Sequence, residues 1–201
     1  MKTPKITVEE FYVENASALG LRLLAGSGGL KRTIKEPTVN RPGLALAGFT
    51  KYFANKRIQA VGSAEVTYLK SLPKDERVAR FEDICRRKVP GVVFSRSLKP
   101  EVEFLEVSEI LVVPVFRSTL ITMKFFIRST LALEYLFAPR GQEHGSMVDI
   151  LGVGVVIKGE SGIGKSECVL ALVERGYSLV ADDITKVKLI DGRVIVGTSS
   201  S

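Results

Sequence analysis

The octapeptide Gly159-Glu160-Ser161-Gly162-Ile163-Gly164-Lys165-Ser166 limits the fold of this chain more than any other feature. It satisfies the P-loop pattern, in which glycines let successive backbone N–H groups turn inward as an anion nest. The helix that follows such a loop adds the positive end of its dipole. The surrounding sequence meets this requirement. Val148 to Lys158 reads as strand, interrupted by Gly152 and Gly154, and a helix over about Lys165 to Glu174 follows, ended by Gly176. In this reading the eight residues hold phosphates, Lys165 neutralises β- and γ-phosphate charge, and Ser166 ligates magnesium. The chain is therefore expected to bind ATP with Mg2+, while Glu160 and Glu167 read as surface groups beside the nest.

The chain has 201 residues, enough for two small domains, and its 45% hydrophobic and 25% charged residues are ordinary for a globular protein. Runs free of charged and polar side chains, such as Ile110 to Phe116, are far below the roughly 20 residues of a membrane span. No membrane association is expected. Met1-Lys2-Thr3-Pro4-Lys5 leads into Glu9-Glu10 and not into an apolar stretch, so it does not read as a signal peptide. Two cysteines, Cys85 and Cys168, lack a CxxC spacing, which points to a reducing, cytoplasmic setting without a cysteine metal cage. The net charge of +7 lies in the first part, since residues 1–130 hold 22 Lys+Arg against 13 Asp+Glu and residues 131–201 hold 7 against 9. Those cations are scattered through folded-looking segments, with Arg86-Arg87-Lys88 the one tight cluster. That pattern speaks against nucleic-acid binding.

Along the chain, Thr7 with Glu10 makes a capping box for a helix running to about Leu19. Thr33-Ile34 and Leu44-Ala45-Leu46 read as short strands, and Arg57 to Val61 as another. Helices are expected from a cap at Ser63 to about Leu72, and from about Lys74 to Arg87. Val92-Val93-Phe94 and Leu111 to Val115 are apolar and β-branched, with a helix-compatible stretch Glu101 to Ile110 between them. This alternation predicts βαβ units and a small parallel sheet. Ser118 to Phe137 is helical in pattern and marks the joint between an N-terminal α/β domain over 1–130 and a P-loop domain over 131–201. In the second part, strands are expected over Tyr177 to Ala181, Thr185 to Ile190 and Val194 to Val196, with a hairpin turn at Asp191-Gly192.

Asp182-Asp183 follows the apolar run Leu179-Val180-Ala181 closely after the phosphate-binding helix. Adjacent side chains on a strand point opposite ways, so one carboxylate is expected to contact magnesium or water and the other to act as general base. An exposed acidic turn has the same spacing. His144, the only histidine, sits just before the strand leading to the loop, where a structural or solvated role is also common for a lone histidine. Cys168 reads as small core packing.

An ordered set of residues then resembles the bacterial HPr kinase/phosphorylase family: His144-Gly145, Val148-Asp149, Gly152-Val153-Gly154-Val155, the P-loop with Glu167, Arg175-Gly176 and Leu179 to Asp183. Glu36-Pro37 and Asn40-Arg41-Pro42-Gly43 are similar to the family's amino-terminal domain, so the resemblance covers essentially the whole chain. It implies a Mg-ATP-dependent kinase acting on a serine of HPr, the phosphocarrier of the sugar phosphotransferase system, and thereby regulating carbohydrate metabolism. It also implies the reverse reaction, in which inorganic phosphate removes the phosphoryl group and pyrophosphate is released. Carried onto this sequence, Lys165 is the catalytic lysine, Ser166 and Asp182 are magnesium contacts, Asp183 is the base and acid, and His144 is an active-site residue. The resemblance further implies a homohexamer. Family members continue past the Ser201 end, with a part carrying a second magnesium-binding carboxylate, a catalytic arginine and much of the HPr-docking surface. The chain thus looks shortened, and phosphate or nucleotide binding is expected to survive better than transfer. The rival expectation is a catalytically incompetent sensor of nucleotide or phosphate derived from this family.

Overall fold

The computed structural model describes residues 4–190 and 192–199. Met1 to Thr3, Asp191, Ser200 and Ser201 lie outside the described residues, and with them parts of the amino-terminal segment, the Asp191-Gly192 turn and the serine-rich end. Chain contacts divide the molecule into one unit over Lys5–Phe137 and another over Ala138 onward.

The first unit runs β1 (Ile6–Thr7), α1 (Val8–Asn15), β2 (Leu21–Ala25), β3 (Thr33–Ile34), β4 (Val39–Asn40), α2 (Gly43–Leu46), β5 (Ile58–Val61), α3 (Ser63–Ser71) and α4 (Lys74–Arg86). It continues with β6 (Val92–Phe94), α5 (Val102–Ile110), β7 (Val115–Ser118) and α6 (Thr122–Phe137). Its main sheet has the order β2-β7-β6-β5-β4. The last four strands are parallel, as the βαβ alternation requires, and β2 lies antiparallel along β7. The α/β class expected from the sequence is therefore present. The strands are apolar at consecutive positions because both faces are covered. Val93 and Phe116 face one core with Phe11 of α1 and Phe125, Leu133 and Leu136 of α6. Val92, Phe94 and Val115 face the other, with Leu69 of α3, Phe81 and Ile84 of α4 and Phe104 of α5.

In the second core Phe81 stacks on Phe104 at 4.5 Å between ring centroids and meets Phe94 at 6.2 Å. With Phe81 only 1% exposed, Phe81→Ala removes a ring that three elements enclose. A loss of about 3–5 kcal/mol in unfolding free energy is expected, read from chemical denaturation.

Several boundaries differ from the sequence expectation. The capping box forms, with Thr7 N–H donating to Glu10 Oε2 at 2.7 Å and Glu10 N–H to Thr7 Oγ1 at 3.2 Å, but α1 ends at Asn15. The following segment turns into β2, which the sequence reading lacked. Leu44-Ala45-Leu46 belongs to a helical turn, closed by Leu46 N–H on Pro42 O at 2.8 Å, and is not a strand. Three apolar residues fit either period, so pattern alone cannot separate the two. Strand β7 begins at Val115 because Leu111 still caps α5 and Val112 takes a left-handed φ of +53°. The N-cap of α3 is Gly62 and not Ser63.

That cap depends on Glu65, whose Oε2 accepts the Gly62 N–H at 2.9 Å. The same carboxylate receives Arg41 through Nε at 3.1 Å and Nη2 at 2.9 Å. Burial alone pushes the Glu65 pKa up, but the Arg41 hydrogen bonds and the Gly62 N–H together hold it below the ordinary 4.5. A depressed folded value means the stabilisation is complete above the unfolded pKa and is lost as pH falls through the folded one. Arg41 is half-exposed, so solvent screens part of the gain. Glu65→Gln is expected to cost about 1–2 kcal/mol at neutral pH. The difference from the parent chain should close below pH 4.5, in denaturation curves taken at stepped pH.

The second unit runs β8 (Arg140–His144), β9 (Ser146–Ile150), β10 (Val153–Ile157), α7 (Lys165–Glu174), β11 (Ser178–Ala181), β12 (Ile184–Ile190) and β13 (Val194–Thr198). Two three-stranded sheets form, of order β10-β9-β11 and β13-β12-β8. The single strand read over Val148 to Lys158 is in fact a hairpin, β9 to β10, turning at Leu151-Gly152, and β8 was not foreseen. Among the described residues no helix is long and apolar enough to cross a membrane.

Candidate phosphate-binding site

Strand register brings the sequence-predicted site residues to one end of the second unit. β9 is the middle strand and runs antiparallel to both neighbours, pairing Ser146 with Ile157 of β10 and Met147 with Ala181 of β11. The carboxyl ends of β10 and β11 therefore leave the sheet on the same side as the start of β9. Two strand spacings separate them, roughly 10 Å. From the first end runs the loop Gly159 to Gly164, and from the second Asp182-Asp183. Between them lies the β8–β9 link, His144-Gly145-Ser146.

The loop has the backbone its glycines allow. Gly162 and Gly164 take φ of +82° and +98°, a region closed to most side chains, and Gly164 is the N-cap of α7. The free N–H groups of the first turn of α7 thus start directly at the loop. Lys165 folds back over it, Nζ donating to Gly159 O at 2.8 Å and Glu160 O at 2.6 Å. Ser166 is exposed in the first turn, and Val169 anchors the helix as its buried residue. Cys168, expected in a core, is exposed on α7.

Asp182 and Asp183 are not on a strand but form the turn between β11 and β12. Asp182 Oδ1 accepts Ser146 Oγ at 2.7 Å and the Asp183 N–H at 3.0 Å. Its other carboxylate oxygen has no partner among the described residues. Asp183 takes a left-handed φ of +58°, held by its own carbonyl accepting Gly145 N–H at 2.8 Å. Both carboxylates are exposed, so the strand-alternation argument does not decide their directions; the turn does.

His144 ends β8 exposed, opposite Ile184 across the β8–β12 ladder. Gly145 beside it takes φ +145°, and a Cβ there would stand 2.6 Å from Ile157 O, with Lys158 Cγ at 3.1 Å. Only glycine lets this link press against the end of β10 immediately before the phosphate loop. Thr185 Oγ1 donates to Gly145 O at 2.9 Å and ties the link to β12. A Glu143–Lys158 ion pair joins the two flanks, and the hydrogen bond from Lys158 holds the exposed Glu143 carboxyl below its usual range. Sequence reasoning missed this pair, since the partners lie fifteen positions apart on either side of the β9–β10 hairpin.

The donor set suits magnesium in the way that ion is usually held: one or two side-chain oxygens, with phosphate oxygens and water completing six positions. Ser166 and the unpartnered oxygen of Asp182 are such donors. No cluster of three or more His, Cys, Asp or Glu that could cage a metal exists among the described residues.

The loop, its lysine and the helix that begins on it make this chain a P-loop protein. Residues 6–133 match the family HPr Serine kinase N terminus, and residues 135–201 match the HPr Serine kinase C-terminal domain. The HPr kinase/phosphorylase of Geobacillus sp. (strain WCH70) is 41% identical over 89% of this chain and 58% of its own length. That of Geobacillus kaustophilus (strain HTA426) is 40% identical over 97% of this chain and 60% of its own. The chain belongs to the HPr serine kinase family, and it spans about 60% of the length of these curated relatives. Among solved structures, the CBS and DRTGG domains of the Clostridium perfringens pyrophosphatase regulatory region, complexed with diadenosine tetraphosphate, align over 65% of this chain and 52% of theirs. The TM-score of this alignment is 0.44 and the identity 12%.

Proposed function

We propose that this chain binds ATP with Mg2+ at the Gly159–Ser166 loop and serves phosphoryl transfer to a serine of HPr, with inorganic phosphate reversing the reaction and releasing pyrophosphate. The observation that carries this reading is the register that sets the phosphate loop and Asp182-Asp183 at one end of the β10-β9-β11 sheet. A kinase needs phosphate binding and proton transfer within reach of each other, and the two strand ends on either side of β9 supply both.

In this reading the loop N–H groups and the start of α7 bind the phosphates. Lys165 leaves Gly159 O and Glu160 O to meet the β- and γ-phosphates. Magnesium, held by Ser166 and Asp182, would offset charge on the transferring group. Asp183 accepts the serine hydroxyl proton as the phosphoryl group arrives and returns it in the reverse direction. One carboxylate serves both directions because they share a transition state. His144 lines the approach between loop and turn, where it can orient the acceptor. The Lys5–Phe137 unit corresponds to an N-terminal domain and the remainder to the kinase domain. A cytoplasmic setting and a homohexamer accompany the reading by family membership.

The test is transfer of the labelled γ-phosphate of ATP to purified HPr by the full chain, with serine as the labelled residue. Incorporation supports the enzyme reading. No incorporation, with nucleotide binding intact and abolished in Lys165→Ala, supports a nucleotide- or phosphate-sensing role for this chain instead.

A further inference from the structure

We propose that the carboxyl end of the parallel sheet in the Lys5–Phe137 unit binds a small phosphate monoester with a flat apolar body, Arg41 and Arg96 taking the phosphate. Ligands of open parallel sheets sit outside the carboxyl ends of the strands, where helix N-termini and loops converge. Here β4 ends at Asn40 and passes into Arg41, β6 ends at Phe94 and passes through Ser95 into Arg96, and β7 leads to Thr122 at the start of α6. A cleft of about 400 Å³ opens at this place, lined by Arg41, Arg96, Thr122, Met123 and Phe126.

The two guanidinium groups face this cleft differently, Arg96 free of any partner among the described residues and Arg41 shared with Glu65. Arg41 is clamped by the buried Glu65 carboxylate through Nε and Nη2, which leaves Nη1 without a partner among the described residues. That clamp fixes a planar fork instead of a flexible chain. Arg96 has no hydrogen-bond or ion-pair partner for its guanidinium among the described residues, although its backbone is firmly held. Arg96 and Ser97 take consecutive left-handed φ values of +58° and +55°. The Arg96 N–H donates to Leu120 O at 2.7 Å and the Ser97 N–H to Ser118 O at 2.8 Å, locking the β6 loop to the segment that leads into α6. The first turn of α6 adds unpaired N–H groups and the positive end of a 16-residue helix. Among the described residues Glu65 is the carboxylate paired with Arg41, and it also accepts the Gly62 N–H. A phosphate is the group that the Arg96 fork, the remaining Nη1 of Arg41 and a helix start accommodate together.

The apolar body follows from the rest of the lining. Met123 and Phe126 form one wall, and a separate hollow of about 130 Å³ that also touches Arg41 carries Phe49 and Tyr52. Those two aromatic rings are 53% and 80% exposed, which core packing does not explain.

The experiment is a residue-resolved amide NMR titration of the full chain with phenyl phosphate, inorganic phosphate and phenol. Residue resolution separates this cleft from the Gly159–Ser166 loop, so the proposal stands or falls independently of ATP binding. Arg96→Asn is the chosen variant, because asparagine accepts a left-handed backbone and keeps the loop folded. Phenyl phosphate is expected to shift Arg96, Ser97, Thr122 and Met123 to saturation, with inorganic phosphate weaker and phenol inactive. Arg96→Asn should weaken the phenyl phosphate response at least about tenfold, the loss of one charge-assisted pair. Shifts confined to residues 159–166, equal shifts with phenol, or an Arg96→Asn titration matching the parent chain would each overturn it.

Discussion

Lys165→Ala is expected to weaken Mg-ATP binding about 10- to 100-fold in calorimetric titration, the loss of a charge-assisted contact to phosphate. The side chain contributes little to folding. Among the described residues its hydrogen bonds go only to Gly159 O and Glu160 O in the loop, and alanine is a better helix former at the first position of α7. Thermal unfolding of the variant without nucleotide should therefore match the parent chain, while the rise in melting temperature on adding Mg-ATP shrinks. An unchanged affinity would mean that the nest binds phosphate through backbone N–H groups alone or not at all.

Asp183→Asn is expected to lower phosphoryl transfer to HPr by about 10²- to 10⁴-fold while leaving ATP affinity nearly unchanged. The substitution is unusually clean at this position. Asp183 stands at φ +58°, a conformation asparagine adopts as readily as aspartate, and the contact fixing it is made by its backbone carbonyl to Gly145 N–H. Shape and turn are kept and proton acceptance is lost. The reverse reaction, followed as pyrophosphate release from serine-phosphorylated HPr and phosphate, should fall in parallel because the same group returns the proton. A variant that loses ATP binding as well would place Asp183 on the phosphates and not on the serine.

The parts of this molecule legible in the sequence are those encoded by local chemistry. The Thr7/Glu10 box, α4 and α7 follow from residues three or four apart, and the P-loop from eight consecutive ones. The parallel sheet was legible because Val92-Val93-Phe94 is apolar on both faces, which only a doubly covered strand tolerates. Short elements were less so: Leu44 to Leu46 fits two periods, and β8 carries Arg140, Gln142 and Glu143, a polar composition that gives no strand signal. The Val148 to Lys158 segment hid a hairpin because Gly152 marks a turn as readily as a bulge. At the candidate site the sequence offered residue types but not how they assemble. Gly145 is an ordinary glycine until the β9 register sets it 2.6 Å from Ile157 O, and Arg41 is an ordinary surface cation until β5 and α3 bring Glu65 to it. The pairing of Asp182 with Ser146 spans 36 residues and depends on β11 lying beside β9.

The most direct test of the phosphate-binding site is an amide NMR titration of the full chain with Mg-ATP, read residue by residue. Saturable shifts are expected at Gly159 to Ser166, at His144 to Ser146 and at Asp182-Asp183, appearing together with a single affinity, because strand register gathers these three segments at one sheet end. Shifts that leave Gly159 to Ser166 unmoved, or that reach the loop without the other two segments at any nucleotide concentration, would contradict it.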